Sequence, residues 1–376
     1  MSYIKKIFNR QNIKPILIVI LVLTSLILEF VSGNLASQLA PQKLVDRWQS
    51  DEKYAQISVF FKEGFEPDGN MALQYRAMMH EALKDAAVDT DKKSARVLID
   101  AYSTQTTLTI SSEKNDTTVR AFGVSKDYFI FHPEKLLSGN YFSYNDENTD
   151  GIILDENTAW TLFGARNVAG MYVDIGGRAC VIRGVVKCEE GLFSKASEEE
   201  LPKVYVDFDL LSSLQGESMG EDGMEVETPG TTISCYELLV QNPVRDFGKD
   251  KLKEIIGLED GQYEIIENSS RFNLKNRFLR IGQLGKRSMN IYGVTYPFWE
   301  NRARAYEDIT TYILILQIIC LLYPAFIVLK AVFKWLRHKK YKAIIDTIKN
   351  IIKKLYLDGT RLEKIEIILY YVSMKQ

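Results

Sequence analysis

The chain has 376 residues and a formal net charge of −2 at pH 7. This length allows two domains of ordinary size, and the near-balanced charge gives no reason to expect a nucleic-acid partner. No Cys-x-x-Cys pair is present, so a zinc site of the usual spacing is not predicted. We expect all four thiols to be free, although Cys180 and Cys188 would pair if their strands faced each other. The four cysteines are Cys180, Cys188, Cys235 and Cys320.

The first 14 residues are basic and have no acidic residue, so residues 1–14 are predicted to lie on the cytoplasmic side. Residues 15–28 are almost entirely aliphatic and are followed by Glu29. One interpretation is a signal peptide with a poor cleavage site within residues 36–40. We favour an uncleaved transmembrane helix over residues 15–36, because the apolar character resumes after Glu29.

A strand–helix–strand unit is predicted next. Residues 39–51 have the pattern of a helical stalk, and residues 54–62 alternate as a strand rich in β-branched and aromatic side chains. Asn70 is a candidate N-cap for a helix over residues 71–87. A strand over residues 95–102 follows, and then a third strand that ends at Ile110.

The middle of the chain, about residues 119–210, has short apolar runs separated by turn residues, which predicts a compact β-rich insert. Gly176 and Gly177 separate two alternating runs and indicate a hairpin turn. A short helix is expected over residues 158–163. The predicted strands are residues 119–124, 151–154, 171–175, 180–186 and 203–208.

A second strand–helix–strand unit follows the insert. Strands are predicted over residues 233–241 and 262–267, and a helix over residues 247–256 ends just before Gly257, a favoured C-terminal stop. Residues 214–232, rich in acids and glycines, are predicted to be an acidic loop; their acids lack the spacing of a calcium-binding EF-hand.

Two stretches before the second apolar run have two interpretations each. Residues 271–287 are basic and would form either a solvated helix face, which we favour, or a contact with a membrane surface or a partner. The aromatic residues of segment 292–299 would lie at a membrane interface or pack into the outer domain. Residues 300–308 are expected to be a helix that leads into the next run.

Residues 309–333 are apolar for long enough to cross a bilayer, which takes about 20 residues. A basic cluster follows immediately, which is typical of the cytoplasmic side. We therefore predict an outer domain over residues 37–308, a second transmembrane helix over residues 309–333 and a cytoplasmic tail over residues 334–376. Within this tail, residues 341–355 form a basic amphipathic helix that would lie on the inner leaflet or bind a cytoplasmic partner.

No catalytic motif was found. Gly285 and Lys286 lack the upstream glycine and the following Ser or Thr of a phosphate-binding loop, and no nucleophile elbow, zinc-protease or kinase motif is present. We predict that the chain is not an enzyme and has no catalytic, cofactor-binding or metal-binding residues. The fold class predicted is α+β: two strand–helix–strand halves with a β-rich insert, held by two transmembrane helices.

The middle section resembles the extracytoplasmic core domain of MacB-type ABC-transporter permeases, within the wider FtsX-like family. The residues that show this resemblance are AFGVSKDYF (121–129), LLSGNYFS (136–143) and DGIILDENTAWTLFGARNVAGMYVDIGGRACVIRGVV (150–186). The resemblance covers roughly residues 50–240. The family implies a strand–helix–strand domain with a β-rich insert, and the same order of span, domain and span.

The resemblance implies that a separate nucleotide-binding domain hydrolyses ATP and that the permease uses this work to move the outer domain. Family permeases have three spans after that domain, whereas one is predicted here, so we expect a subunit completed by another permease chain. The expected setting is a bacterial plasma membrane with both termini inside, and the expected partners are an ABC ATPase, a permease chain and the lipid bilayer. A membrane-tethered binding or adaptor module without transport activity, and an extracytoplasmic enzyme, are the alternatives.

Overall fold

The computed structural model describes residues 10–48, 52–88, 96–144, 150–188, 201–216, 231–286, 290–291 and 293–357. The chain divides into two compact units. The large unit comprises residues 30–314, and the small unit contains the helical segments on either side of that range.

The described helices and strands follow one another along the chain, with single 3-10 turns at Ala40–Gln42, Asn268–Ser270 and Ile281–Gln283. The helices are α1 (Arg10–Ser37), α2 (Leu44–Arg47), α3 (Gly69–Asp85), α4 (Tyr128–Phe131), α5 (Glu156–Phe163), α6 (Phe208–Gly216), α7 (Phe247–Ile256), α8 (Leu274–Arg280) and α9 (Phe298–Leu357). The strands are β1 (Tyr54–Phe61), β2 (Leu98–Ser111), β3 (Asp116–Val124), β4 (Leu136–Gly139), β5 (Gly151–Asp155), β6 (Tyr172–Ile175), β7 (Arg178–Val186), β8 (Lys203–Asp207), β9 (Cys235–Gln241), β10 (Tyr263–Glu267), β11 (Asn290–Ile291) and β12 (Val294–Thr295).

The two strand–helix–strand halves, β1-α3-β2 and β9-α7-β10, interleave in one antiparallel sheet. The strand order is β10-β1-β9-β2, so β1 lies between the two strands of the other half. This is the arrangement of the split βαβ, ferredoxin-like motif. The prediction of two such halves with a β-rich insert is therefore confirmed.

The apolar core of this part forms because alternate residues of β1 and β9 point to the same face. Ile57 of β1 and Leu238 of β9 are fully buried there, together with Met79 and Leu83 of α3. Helix α7 covers the same face and ends at Gly257, whose φ of 65° is the left-handed conformation that glycine adopts without strain.

Three local predictions are wrong. The N-cap of α3 is Asp68 instead of Asn70, since the Asp68 Oδ1 atom accepts a hydrogen bond of 2.8 Å from the Met71 backbone N–H. The two strands predicted between residues 95 and 110 are one strand of 14 residues, β2. The stalk predicted over residues 39–51 is a 3-10 turn followed by the four-residue helix α2.

The insert extends the same sheet in the order β2-β3-β8-β5-β7-β4. It has a separate apolar core, in which Ile152, Ile182 and Val206 are buried. The predicted hairpin at Gly176 and Gly177 joins β6 to β7. Two features of the insert were not predicted: the pairs β3–β8 and β5–β7 are parallel, and helix α6 begins at Phe208, the last residue of the strand predicted over residues 203–208. Most of the predicted acidic loop, residues 217–230, lies outside the described residues.

The cysteines match the expectation of free thiols, because all four are unpaired and the alternative bond between Cys180 and Cys188 is absent. Cys180 is buried in the core of the insert. Burial of this thiol, followed by the charge of Asp150, raises its pKa to about 11.

The small unit contains residues 10–29 of α1 and residues 315–357 of α9. Two helices, Lys14–Ser37 and Phe298–Ile351, contain stretches long and apolar enough to cross a membrane. Most of the large apolar side chains in these stretches are exposed. Hydrogen bonds from Gln317 of α9 connect it to α1. The Gln317 Nε2 atom donates to the Ser25 carbonyl at 3.2 Å and to the Glu29 carboxylate at 2.9 Å.

Candidate functional site

A buried cluster of charged side chains surrounds Arg271 in the large unit. The Arg271 side chain has no exposed surface. Its Nη1 and Nη2 atoms donate to the two oxygens of Glu300, and its Nε atom donates to Glu307, each at 2.7 Å. This forked geometry suits a guanidinium and is among the stronger charge-assisted pairings in proteins.

The first three turns of α9 supply two of the three acids of this cluster. Glu300 and Glu307 are seven residues apart, which places them on the same side of a helix. Arg304 lies between them and donates from Nε to Glu300 at 2.8 Å, while Arg280 at the end of α8 pairs with Glu307. Arg304 also contacts Glu264 of β10 at 2.9 Å. The three arginines and three glutamates balance in charge.

The electrostatics of the cluster keep its arginines charged. Burial of Arg271 lowers the pKa of the guanidinium, but the adjacent Glu300 and Glu307 outweigh that effect and raise it above the usual value. The same competition, with Glu300 and Glu264 as partners, raises the pKa of Arg304. The pKa of Tyr296 is also raised, by burial and by its hydrogen bond to Glu264.

A chain of buried hydrogen bonds continues from Arg271 into the sheet. Arg271 Nη1 donates to Asn268 Oδ1 at 3.1 Å, and Asn268 Nδ2 donates to Ser58 Oγ at 2.8 Å. Ser58 Oγ donates to Glu237 Oε1 at 3.0 Å, and the other Glu237 oxygen is hydrogen-bonded to His132 Nε2. This polar chain, from His132 to Arg271, therefore connects β9 and β1 to the first turns of α9.

Aromatic rings enclose the His132 end of the polar chain. The imidazole stacks on Tyr128 with ring centres 4.3 Å apart and lies 4.4 Å from the ring centre of Trp299. Tyr296, Phe298 and Trp299 are all buried in the same aromatic cluster. Of the two interpretations of the aromatic segment, packing into the outer domain is therefore confirmed for these three residues.

Part of this site was misjudged from the sequence. Both the solvated face and the membrane contact predicted for residues 271–287 are wrong for Arg271 and Arg277, which are buried. His132 drew no functional prediction. The signal that would have located the acids is the spacing of Glu300, Arg304 and Glu307, which places these three charged residues along one side of a helix.

The arrangement is suited to holding the start of α9 against the sheet. Its members are paired ions and hydrogen-bonded amides, and Arg271, Glu300 and Glu307 are almost completely buried. Among the residues that the structure describes, no group of three or more His, Cys, Asp or Glu side chains converges as metal ligands would. The chemistry available to the cluster is therefore electrostatic attachment of α9 to the sheet.

Cavities of ligand size occur in the described part of the large unit, and two of them differ clearly in their lining. A charged cavity of about 580 Å³ is lined by residues of β10, α7 and α8, including Glu264, Lys275 and Arg280. An apolar cavity of about 810 Å³ lies in the insert, lined by Leu162, Val168 and Tyr172 among others. Both volumes are within the usual range for small-molecule sites.

Comparison with known proteins gives one family match. The model of the MacB-like periplasmic core domain matches residues 16–235. Among solved structures, the periplasmic region of MacB from Actinobacillus actinomycetemcomitans is 16% identical, with a TM-score of 0.37, over 62% of this chain and 93% of that chain. The extracellular domain of the noncanonic ABC-type transporter YknZ from Gram-positive bacteria is 19% identical, with a TM-score of 0.34, over 56% of this chain and 99% of that chain. No curated protein matches the chain.

Proposed function

The chain belongs to the family of MacB-like periplasmic core domains, and we propose that it is a membrane subunit of an ABC-transporter complex. In this proposal it has no catalytic activity of its own and couples a partner ATPase inside the membrane to motion of its outer domain. The family match over residues 16–235 supports the transporter setting. The proposal covers both export of a substrate and the driving of a partner protein outside the membrane.

The observation behind the coupling role is helix α9. It runs from Phe298 to Leu357 without a break, so the turns attached to the ion cluster and the apolar stretch belong to one helix. One bond of its backbone ladder is missing within the apolar stretch, because Pro324 has no N–H to donate. The buried pairs of Arg271 with Glu300 and Glu307 fix the outer end of this helix to the sheet.

The charge distribution supports a topology with both termini inside. Residues 1–14 have four basic residues and no acid, and a basic cluster directly follows residue 333. Short basic flanks are typical of the cytoplasmic ends of transmembrane helices. Helix α1 continues past Glu29 to Ser37, which fits the uncleaved anchor that we favour. The large unit then lies outside the plasma membrane of a bacterium.

The segment of α9 after residue 333 is the proposed contact with the ATPase. It is basic, and the side chains of Tyr341, Ile344 and Ile345 are exposed. No proline or glycine interrupts residues 334–357, so nothing in the sequence favours a bend that would lay this segment on the inner leaflet. An amphipathic helix of this kind fits a groove on a soluble partner.

The test is an affinity pull-down of the full chain from native membranes in mild detergent, followed by mass spectrometry. We expect an ABC ATPase and a multi-span permease chain to copurify. Recovery of the chain alone, or with soluble outer-surface proteins only, would overturn the proposal in favour of a tethered binding module.

Two matched double variants test whether the apolar stripe of α9 after residue 333 contacts the ATPase. Ile345→Asp with Ile348→Asp places two charges on the apolar stripe and is expected to abolish copurification of the ATPase. Ala343→Asp with Asn350→Asp places the same charges on the opposite side of the helix and is expected to leave it unchanged. Equal losses in both variants would show that the charge, and not the stripe, is responsible.

The alternative of a tethered binding module is favoured by the apolar cavity of about 810 Å³ in the insert. Met171 and Tyr172 at its edge are exposed, as expected for a site open to an apolar ligand. The pull-down separates the two functions, because this module would need no ATPase.

A further inference from the structure

Helix α8 exposes an apolar face that the polar chain and the aromatic clusters leave uncovered. Leu274, Phe278 and Leu279 are 63%, 60% and 62% exposed. The opposite side of the helix is buried through Arg277. Exposure of three large apolar side chains to water is unfavourable, so a short helix that carries them is stabilised when another surface covers them.

The position of α8 along α9 indicates what covers this face. Arg277 Nη2 donates to the carbonyl of Thr310 at 3.3 Å, and Arg280 pairs with Glu307. Thr310 is the second residue of the apolar run of residues 309–333. Helix α8 is therefore attached at the level where the apolar run begins, which is the level of a membrane–water interface.

The charges around this face match a lipid surface. Residues 274–286 contain four basic residues and no acid. Arg277 and Arg280 make the contacts just described, while Lys275 and Lys286 are exposed. Lysine side chains beside an inserted apolar face extend to the headgroups and attract anionic lipid. A second copy of the chain fits less well, because a symmetric contact would bring like charges together.

We propose that α8 is an interfacial helix that lies in the outer leaflet. Leu274, Phe278 and Leu279 enter the region of the upper acyl chains, and Lys275 and Lys286 contact lipid phosphates. Lys275 also lines the charged cavity of about 580 Å³, which places polar surface next to the inserted face. The inference rests on the proposed crossing of the membrane by residues 309–333.

The experiment uses the full chain in nanodiscs made of phosphatidylcholine brominated on its acyl chains, mixed with phosphatidylglycerol. Phe278→Trp adds an indole at the proposed inserted position, and the emission of the unsubstituted chain is subtracted. Because acyl-chain bromine quenches an indole only at close range, we expect most of the added emission to be lost. Leu274→Trp is the second variant at this face, should Phe278→Trp fold poorly.

Two variants serve as controls. Val244→Trp places an indole at an exposed apolar position of the large unit that has no contact with α9, and should keep its emission. Leu322→Trp places one inside the proposed span and should be quenched. If Leu322→Trp is quenched but the α8 variants resemble Val244→Trp, the interfacial helix is refuted and the span stands. If Leu322→Trp also keeps its emission, the crossing itself is refuted, and the inference with it.

Discussion

The two faces of the sheet β10-β1-β9-β2 are both buried, and the face toward α9 contains the polar chain beside its apolar residues. On one face, Ile57 and Leu238 pack in an apolar core under α3 and α7. On the other, their neighbours Ser58 and Glu237 belong to the polar chain that leads to Arg271. Adjacent residues of a strand point to opposite faces, so one residue along β1 separates the two environments.

Burial alone therefore does not determine how much a substitution lowers the free energy of unfolding. A substitution on an apolar face lowers the unfolding free energy in proportion to the atoms that it removes and the cavity that it leaves behind. A buried polar chain depends on complete pairing, because each group that loses its partner keeps its desolvation penalty. We therefore expect the face toward α9 to tolerate small changes less well than the apolar face.

The largest effect is expected for Arg271→Met. This change removes the one guanidinium that pairs with both buried glutamates and leaves Glu300 with Arg304 and Glu307 with Arg280. Breaking a buried ion pair costs about 3–5 kcal/mol. The measurement is urea denaturation of the full chain in mild detergent, followed by near-ultraviolet circular dichroism of the aromatic cluster. Lys286→Met removes an exposed positive charge nearby and should change the unfolding free energy by less than about 0.5 kcal/mol. Equal effects would show that the cluster contributes no more than net charge.

The second prediction concerns Ser58→Ala, which removes one oxygen from the polar face. Asn268 loses an acceptor and Glu237 loses a donor, both in a closed setting, so we expect a loss of about 1–3 kcal/mol. The same denaturation measurement tests it. A loss near zero would mean that the two neighbours re-pair across the gap, and the hydrogen-bonded path from His132 to Arg271 would not be needed for stability.

The third prediction is the matched change on the apolar face, Ile57→Val, which removes one carbon from the residue next to Ser58. Trimming a buried methyl group in this way costs about 0.5–1.5 kcal/mol. The comparison of the two neighbours is direct, since each loses a single heavy atom from a fully buried position. If Ile57→Val proves more damaging than Ser58→Ala, the proposed contrast between the two faces is wrong.

The sequence predicts the apolar face better than the polar one for a physical reason. The strands and helices of both halves follow from alternation and helical periodicity, which are local properties. The pairing of Arg271 with Glu300 and Glu307 joins residues 29 and 36 positions apart. No local rule brings these groups together, so a basic run such as residues 271–287 looks solvated until the tertiary contacts are known.

The insert shows the same limit on a smaller scale. Its strands other than β4, and the hairpin at Gly176 and Gly177, were predicted from turn residues and short apolar runs. The parallel pairing of β3 with β8 was not predicted, because most of the insert lies between these two strands in the sequence. Parallel strands need a long connection, and their partners are chosen by tertiary packing instead of by a turn.

The smallest expected effect is a fall in the unfolding free energy at alkaline pH, caused by the titration of a tyrosine beside the apolar face. Tyr102 packs at the edge of the apolar core, where burial, followed by the charge of Asp209, raises its pKa to about 12 from an ordinary value of 10.0. Between these two values the unfolded chain has lost the phenol proton while the folded chain keeps it, so the unfolding free energy falls as pH rises through this window.

Arg271 adds nothing to this fall, since its pKa is raised and it stays charged throughout. We therefore expect Tyr102→Phe to make the alkaline loss of stability smaller, because one of the groups responsible is removed. Denaturation of the full chain at several values between pH 9 and pH 12 measures this, with Tyr172→Phe as the control for an exposed tyrosine of the large unit. The raised thiol pKa of Cys180, about 11, contributes a loss of the same sign in both variants. An unchanged alkaline slope in Tyr102→Phe would place the sensitive groups elsewhere in the molecule, for example at Tyr296 beside the ion cluster, whose pKa is also raised by burial.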